Sequence, residues 1–288
     1  MILLHANGQE LLNWHVHPEA IVVCVGLLVC YWYALQVWRP RLPDAGPVSR
    51  MHVIFFCLGV LTLFVAGGSP IHDISEEHLL SMHTVQLLLF AFVAPPLLLA
   101  GIPTWLYQAL LDRRGVRPVA KIVLNPLIAI FAFNMTLVIM HLPHVVDYQL
   151  RNESFHFSVH VWIVAVALMM WWPIITRVPG LPQLSYPYQM AYLFVQSLVP
   201  AVIASFITFS RTAVYDFYEE APRIWGLDPV DDQQLAAFIM KVVGGLILWG
   251  FIGVAFFRWF AEEESKGRGL PWVEAKEEPR RAGLNPHR

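Results

Sequence analysis

The chain has 288 residues, of which 57% are hydrophobic and 14% charged, with a formal net charge of −2. A soluble domain of this size is far less apolar, so that class is excluded. The near-neutral balance leaves no basic footprint for nucleic acid.

Apolar runs of about twenty residues, enough to cross roughly 30 Å of hydrocarbon, recur along the chain. They are continuous rather than alternating, which argues against an outer-membrane barrel. The expected fold is all-α, a polytopic bundle of seven transmembrane helices. The spans are expected at about 19–38, 51–67, 79–100, 122–140, 157–175, 190–209 and 235–260. An outer segment (1–18) precedes this transmembrane domain (19–260), and a charged tail (261–288) follows it. Pro95-Pro96 and Pro200 fall inside spans and are expected to kink them where neighbours satisfy the freed carbonyls.

The basic residues sort into alternate connections. With the N-terminus outside, fifteen of the nineteen Lys and Arg lie on the inner side and three on the outer, leaving Lys241 within the last span. The positive-inside bias therefore predicts an outer N-terminus and a cytoplasmic C-terminus. Residues 1–18 contain no Lys or Arg, so no cleavable signal is expected. Cys24, Cys30 and Cys57 all sit in apolar runs without metal-ligand spacing and read as small buried hydrophobes.

On this topology ten of the twelve histidines face outward, leaving only His52 and His287 inside. His5, His15 and His17 precede the first span, and His72, His78 and His83 lie between the second span and the start of the third. His141, His144, His156 and His160 flank the connection between the fourth and fifth. His156 and His160 are four apart and stack on one helix face, and a short hairpin would bring His141 near them. His83 and Gln86 enter the third span at comparable depth. Imidazole is the commonest transition-metal ligand, and Met82 and Met140 add thioether sulfur that suits Cu(I). The expected metal ligands are His83, His141, His156 and His160, with His72, His78, His144, Met82 and Met140 as accessory positions. His15-x-His17 and His72 extend the set towards a surface site or entry route. Two imidazoles from facing helices also suit axial haem ligation, so haem is the alternative cofactor to copper.

Lys241 lies roughly 9 Å into the last span at 1.5 Å per residue. It is expected either to snorkel towards Asp228, Asp231 and Asp232 or to form an ion pair near the histidines. Gln196 and Asn134 are interior polar groups able to bond between helices. No nucleophile elbow, P-loop, HExxH or dinucleotide fingerprint is present, and no enzymatic activity is expected.

Several stretches together resemble the polytopic CtaG-like cytochrome c oxidase assembly factors. They are Ser69-Pro70, the run SEEHLLSMHTVQLLL and Ala94-Pro95-Pro96-Leu97-Leu98-Leu99; then His141-Leu142-Pro143, His156, His160 and Trp171-Trp172-Pro173; then Tyr192 to Ser210, and Asp232-Gln233-Gln234-Leu235 with Ile239-Met240. The similarity runs from about Trp14 to the end of the last span. It implies a multi-pass protein of the bacterial cytoplasmic membrane that matures haem–copper oxidases by copper delivery or insertion. The implied partners are oxidase subunits or a copper chaperone, besides the lipid bilayer. It carries over His83, His141, His156 and His160. The chain departs from the family pattern twice: Leu87 follows Gln86 where the family usually has histidine, and Lys241 follows Ile239-Met240 where it usually has tryptophan. A haem-bearing electron-transfer subunit and a metal-free assembly scaffold are the alternatives.

Overall fold

The computed structural model describes residues 15–42 and 45–267. His5, His287 and most of the charged tail lie outside the described residues. In chain order the helices are α1 (Pro18–Arg41), α2 (Arg50–Gly68), α3 (Pro70–Glu77), α4 (Leu80–Gly101), α5 (Thr104–Leu111) and α6 (Val116–Val123). They continue with α7 (Pro126–Met140), α8 (Pro143–Leu150), α9 (Glu153–Ile175), α10 (Tyr186–Phe209), α11 (Asp216–Glu220) and α12 (Pro229–Lys266). No strand occurs among the described residues.

Six of these helices, α1, α2, α4, α9, α10 and α12, are long and apolar enough to cross a membrane. The fourth expected span is not one straight helix over 122–140. It is the pair α6–α7, bent by 62°. Asn125 starts α7 by accepting the Leu127 N–H at 2.9 Å, and Pro126 occupies the first turn. An Asn-Pro pair is a helix-start signal that resets the axis inside an otherwise continuous apolar run. With its 15 residues α7 alone reaches about 22 Å, short of a bilayer core.

The bundle is apolar outside and polar at a few points within, the reverse of a soluble protein. Val22, Val29, Leu127, Phe206, Phe209, Leu246 and Phe257 are exposed, whereas Gln86, Gln196 and Asn134 are buried. Asn134 Nδ2 donates to Gln196 Oε1 at 2.6 Å, joining α7 to α10. Close helix approach uses glycine: a Cβ on Gly59 would press on Leu98, and one on Gly101 would run into the Phe56 backbone. Tyr31 of α1 donates its hydroxyl to the Gly101 carbonyl at 2.9 Å, tying α1 to α4.

The expected kink in α4 takes the form of a π-helical turn at Leu89–Val93, just before Pro95-Pro96. Neither proline has an N–H, so the Ala91 carbonyl has no donor in its own helix. Trp171 Nε1 on α9 supplies one at 2.9 Å. Pro200, by contrast, lies inside the unbroken α10.

The two connections richest in histidine are helices, not loops. In α3, Ser69 caps by accepting from Ile71 N, with Pro70 in the first turn. α8 starts at Pro143, so the short hairpin expected between His141 and His156 is replaced by an eight-residue helix. Contacts among α3, α4, α8, α9 and α11 close this end of the bundle. Tyr218 donates to the Ser75 carbonyl at 2.7 Å, and the Phe217 N–H donates to Asp147 Oδ1 at 3.0 Å.

Candidate functional site: a histidine–carboxylate cluster at one end of the bundle

Two i,i+4 pairs on two helices build the centre. α3 contributes His72 and Glu76, and α9 contributes His156 and His160. Glu76 Oε1 stands 3.0 Å from His72 Nε2 and 3.1 Å from His156 Nε2. His156 Nε2 is in turn 2.7 Å from His160 Nε2. The His72 ring centroid lies 6.0 Å from that of His156 and 5.6 Å from that of His160. α9 starts at this level because Asn152 accepts from Phe155 N at 2.9 Å and Glu153 occupies the first turn. From α4, the His83 ring comes within 6.0 Å of His156, centroid to centroid. Its buried Nδ1 has no protein partner.

Counting hydrogens shows where the cluster is electron-rich. Gln86 Nε2 lies 2.9 Å from the Ala66 carbonyl and 2.7 Å from His72 Nδ1. Donating to both makes His72 Nδ1 an acceptor, so the neutral ring carries its hydrogen on Nε2 and gives it to Glu76. His156 Nε2 faces both Glu76 Oε1 and His160 Nε2. His160 donates at most one hydrogen there. The single hydrogen or lone pair on His156 Nε2 is shared between Glu76 at 3.1 Å and His160 at 2.7 Å, and a cation held there, proton or metal, would serve both neighbours. Burial by itself raises the Glu76 carboxyl. The hydrogen bond from His72 and the nearby His156, His72 and His17 rings outweigh it and hold the group below the usual carboxylate range. Glu76 is therefore a carboxylate at neutral pH.

The cluster continues outward through the segment before α1. His17 Nε2 is 2.7 Å from Asp73 Oδ1 and its Nδ1 is 3.3 Å from Glu19 Oε1. Its ring lies edge-on to His72 with centroids 4.5 Å apart. His15 Nδ1 reaches Asp73 Oδ2 at 3.4 Å.

The remaining expected residues divide between a cavity and the periphery. His83, His141, His160, Met140 and Gln86 line one cavity beside the cluster. His141 Nδ1 donates to the Leu137 carbonyl at 2.7 Å, which leaves the lone pair on Nε2, and no direct ring contact joins it to another imidazole among the described residues. Met82 packs instead with Ile74, Leu79 and Ile224. His78 bonds the Pro222 carbonyl, and His144 is exposed. Asp232 accepts from Leu80 N and Ser81 N at 2.7 and 3.3 Å and caps α4 from another helix, beside the turn that carries His83. Lys241 Nζ donates to Ser205 Oγ on α10 at 3.3 Å. Sequence reasoning passed over the carboxylates Glu76, Glu19 and Asp73. The signal for Glu76 was its position four residues after His72, hidden because 69–78 read as a loop.

A family model for the cytochrome c oxidase caa3 assembly factor (Caa3_CtaG) matches residues 29–262. The chain belongs to that family. Comparison with curated proteins and with solved structures returned no match. The family match spans α2 to α12 and includes His72, Glu76, His83, His141, His156 and His160, whereas His15, His17 and Glu19 precede it. Membership makes this a cytochrome c oxidase assembly factor with several apolar membrane helices.

Proposed function

We propose that this assembly factor takes up a copper ion as its cargo at His72, Glu76, His156 and His160 and passes it to a maturing haem–copper oxidase, acting as a binding and delivery protein rather than an enzyme. The observation that carries the reading is the close approach of Glu76 Oε1 to His156 Nε2 at 3.1 Å, with His72 Nε2 and His160 Nε2 beside them. Metal–nitrogen bonds are about 2 Å long, so neighbouring donors roughly 3 Å apart along the row His72–Glu76–His156–His160 can close around an ion by side-chain rotation. Imidazole with one carboxylate fits copper, and the carboxylate favours the divalent state more than a thioether set would. An axial haem pair needs nitrogens about 4 Å apart on opposite sides of the iron, a separation that the 2.7 Å contact between His156 and His160 does not offer. The orphan His83 Nδ1, with His141 and Met140 across the cavity, supplies a deeper set of donors for the same cargo. The asymmetry of basic residues supports an orientation with this end of the bundle outside the cytoplasmic membrane of a bacterium, and the proposed partner there is an oxidase subunit or a copper chaperone.

Purified protein in detergent should take up copper at neutral pH. Because histidine ligands must be neutral, uptake should fade as pH falls through about 6.5. The His156→Ala/His160→Ala double variant should lose retention in competition with a chelator. Unchanged retention, or a wild-type protein that binds no copper, would overturn the reading. A strong Soret band in a preparation grown with ample haem would favour the haem alternative. A deletion strain should make an oxidase with reduced copper content, and normal content would sink the delivery role.

A further inference from the structure

We propose a second, outer metal station formed by His17, Glu19 and His72, from which the ion moves inward by ligand exchange with His72 as the shared ligand. This rests on the copper reading above. The donor atoms of these three residues all lie within 4.8 Å of one another, so small side-chain rotations bring them around one ion with bonds of about 2 Å. His17 stands between two carboxylates. Its Nε2 faces Asp73 at 2.7 Å and donates there, so the neutral ring presents its Nδ1 lone pair to the Glu19 carboxylate at 3.3 Å. A carboxylate that holds one ring nitrogen while the other is left free is the support that metal-bound histidines use.

The two stations are contiguous and graded. Side-chain exposure falls from 69% at His15 to 16% at His17, 10% at His72 and 4% at His156. An ion at the outer station is held by two imidazoles and one carboxylate. Moving inward, it keeps His72 while Glu76 replaces Glu19 and His156 replaces His17, after which His160 adds a further imidazole. Ligand type and charge are unchanged at the exchange, and no oxidant or reductant is involved. Each step replaces a more exposed donor by a more buried one, which lowers access of competing water and chelator and gives the path its direction. α3 provides the hinge because it carries His72 and Glu76 on one face, with Asp73 on the side turned to His17.

The test uses the full-length protein in detergent with Cu(II) as the probe, loading followed by stopped-flow tryptophan quenching and retention by chelator competition. Wild-type protein should show a fast phase followed by a slower one. His17→Ala, and Glu19→Gln as the variant that keeps size and fold, should slow loading at least about tenfold while leaving retention at the inner station within a few fold of wild type. His156→Ala/His160→Ala should keep the fast phase and lose retention. Loading by His17→Ala and Glu19→Gln at the wild-type rate would mean that His17 only ties the N-terminal segment to α3, and the relay falls while the inner site stands. Loss of the fast phase in the His156/His160 variant would overturn it as well. Wild-type protein that takes up no copper overturns both readings.

Discussion

With its amide hydrogens given to the Ala66 carbonyl and His72 Nδ1, Gln86 holds His72 in the tautomer whose Nε2 bears the hydrogen. To ligate through Nε2, the ring has to carry that hydrogen on Nδ1, and the amide has to turn its oxygen there. Ser75 permits the turn. Its Oγ lies 3.0 Å from Gln86 Oε1 and 2.7 Å from the His72 carbonyl, so it can donate to the carbonyl and accept from the turned amide. Only the Ala66 carbonyl loses a donor. Gln86→Leu should therefore weaken copper retention by about 10–100-fold with the protein still folded; chelator competition measures it, and unchanged retention would remove Gln86 from the support of the site. Tyr218 gives a second test at this scale. Burial, with Asp232 and Glu76 nearby, raises its phenol well above the ordinary value of about 10. A raised folded-state value contributes stability that is complete below pH 10 and is lost as pH rises from there towards the folded value. Melting temperature should fall above pH 10, and Tyr218→Phe should make that fall shallower.

At the scale of elements, α4 is the helix on which the site depends, and both of its weak points are mended from outside. Its middle carries two prolines, and Trp171 satisfies the carbonyl that they orphan. Trp171→Phe keeps most of the volume but removes the donor, and should cost roughly 1–2 kcal/mol of stability in detergent unfolding. Its start has no capping side chain of its own, and Asp232 supplies one across the bundle. Asp232→Ala should cost about 1 kcal/mol, and Asp232→Asn less, because the amide oxygen still accepts a backbone bond. Equal losses for the two variants would show that the carboxylate charge at the helix start matters more than the hydrogen bonds. The first turn of α4 carries His83 beside this cap, so either change should also loosen the deeper cavity. The bend between α6 and α7 and the helical character of α3 were missed for one reason. Hydropathy integrates over some twenty residues, whereas Asn125-Pro126 and Ser69-Pro70 act over two.

For the whole molecule, the proposed orientation puts the cluster on the outer face and predicts a labelling pattern. In a variant with Cys24, Cys30 and Cys57 changed to alanine, Ser154→Cys at the exposed start of α9 should react with an impermeant maleimide in intact cells. Arg114→Cys, in the basic connection between α5 and α6, should react only after lysis; the opposite pattern would invert the topology. By itself the sequence determined the membrane class, the helical fold, the number of spans to within one, and the gathering of histidines at the ends of successive spans. It also carried the family motifs. These features depend on hydrophobicity and local spacing, which a linear chain displays directly. Only the tertiary structure decided which imidazoles meet. Of the four expected ligands, it pairs His156 with His160, sets His83 beside them, and leaves His141 across a cavity. It also moves His72 to the centre and adds Glu76 and Glu19. The reason is that contact between α3 and α9, more than 70 residues apart, depends on the glycine-mediated crossing of α2 and α4, the bond from Trp171 to α4 and the bond from α11 to α3. None of these can be read from the spacing of the residues they bring together.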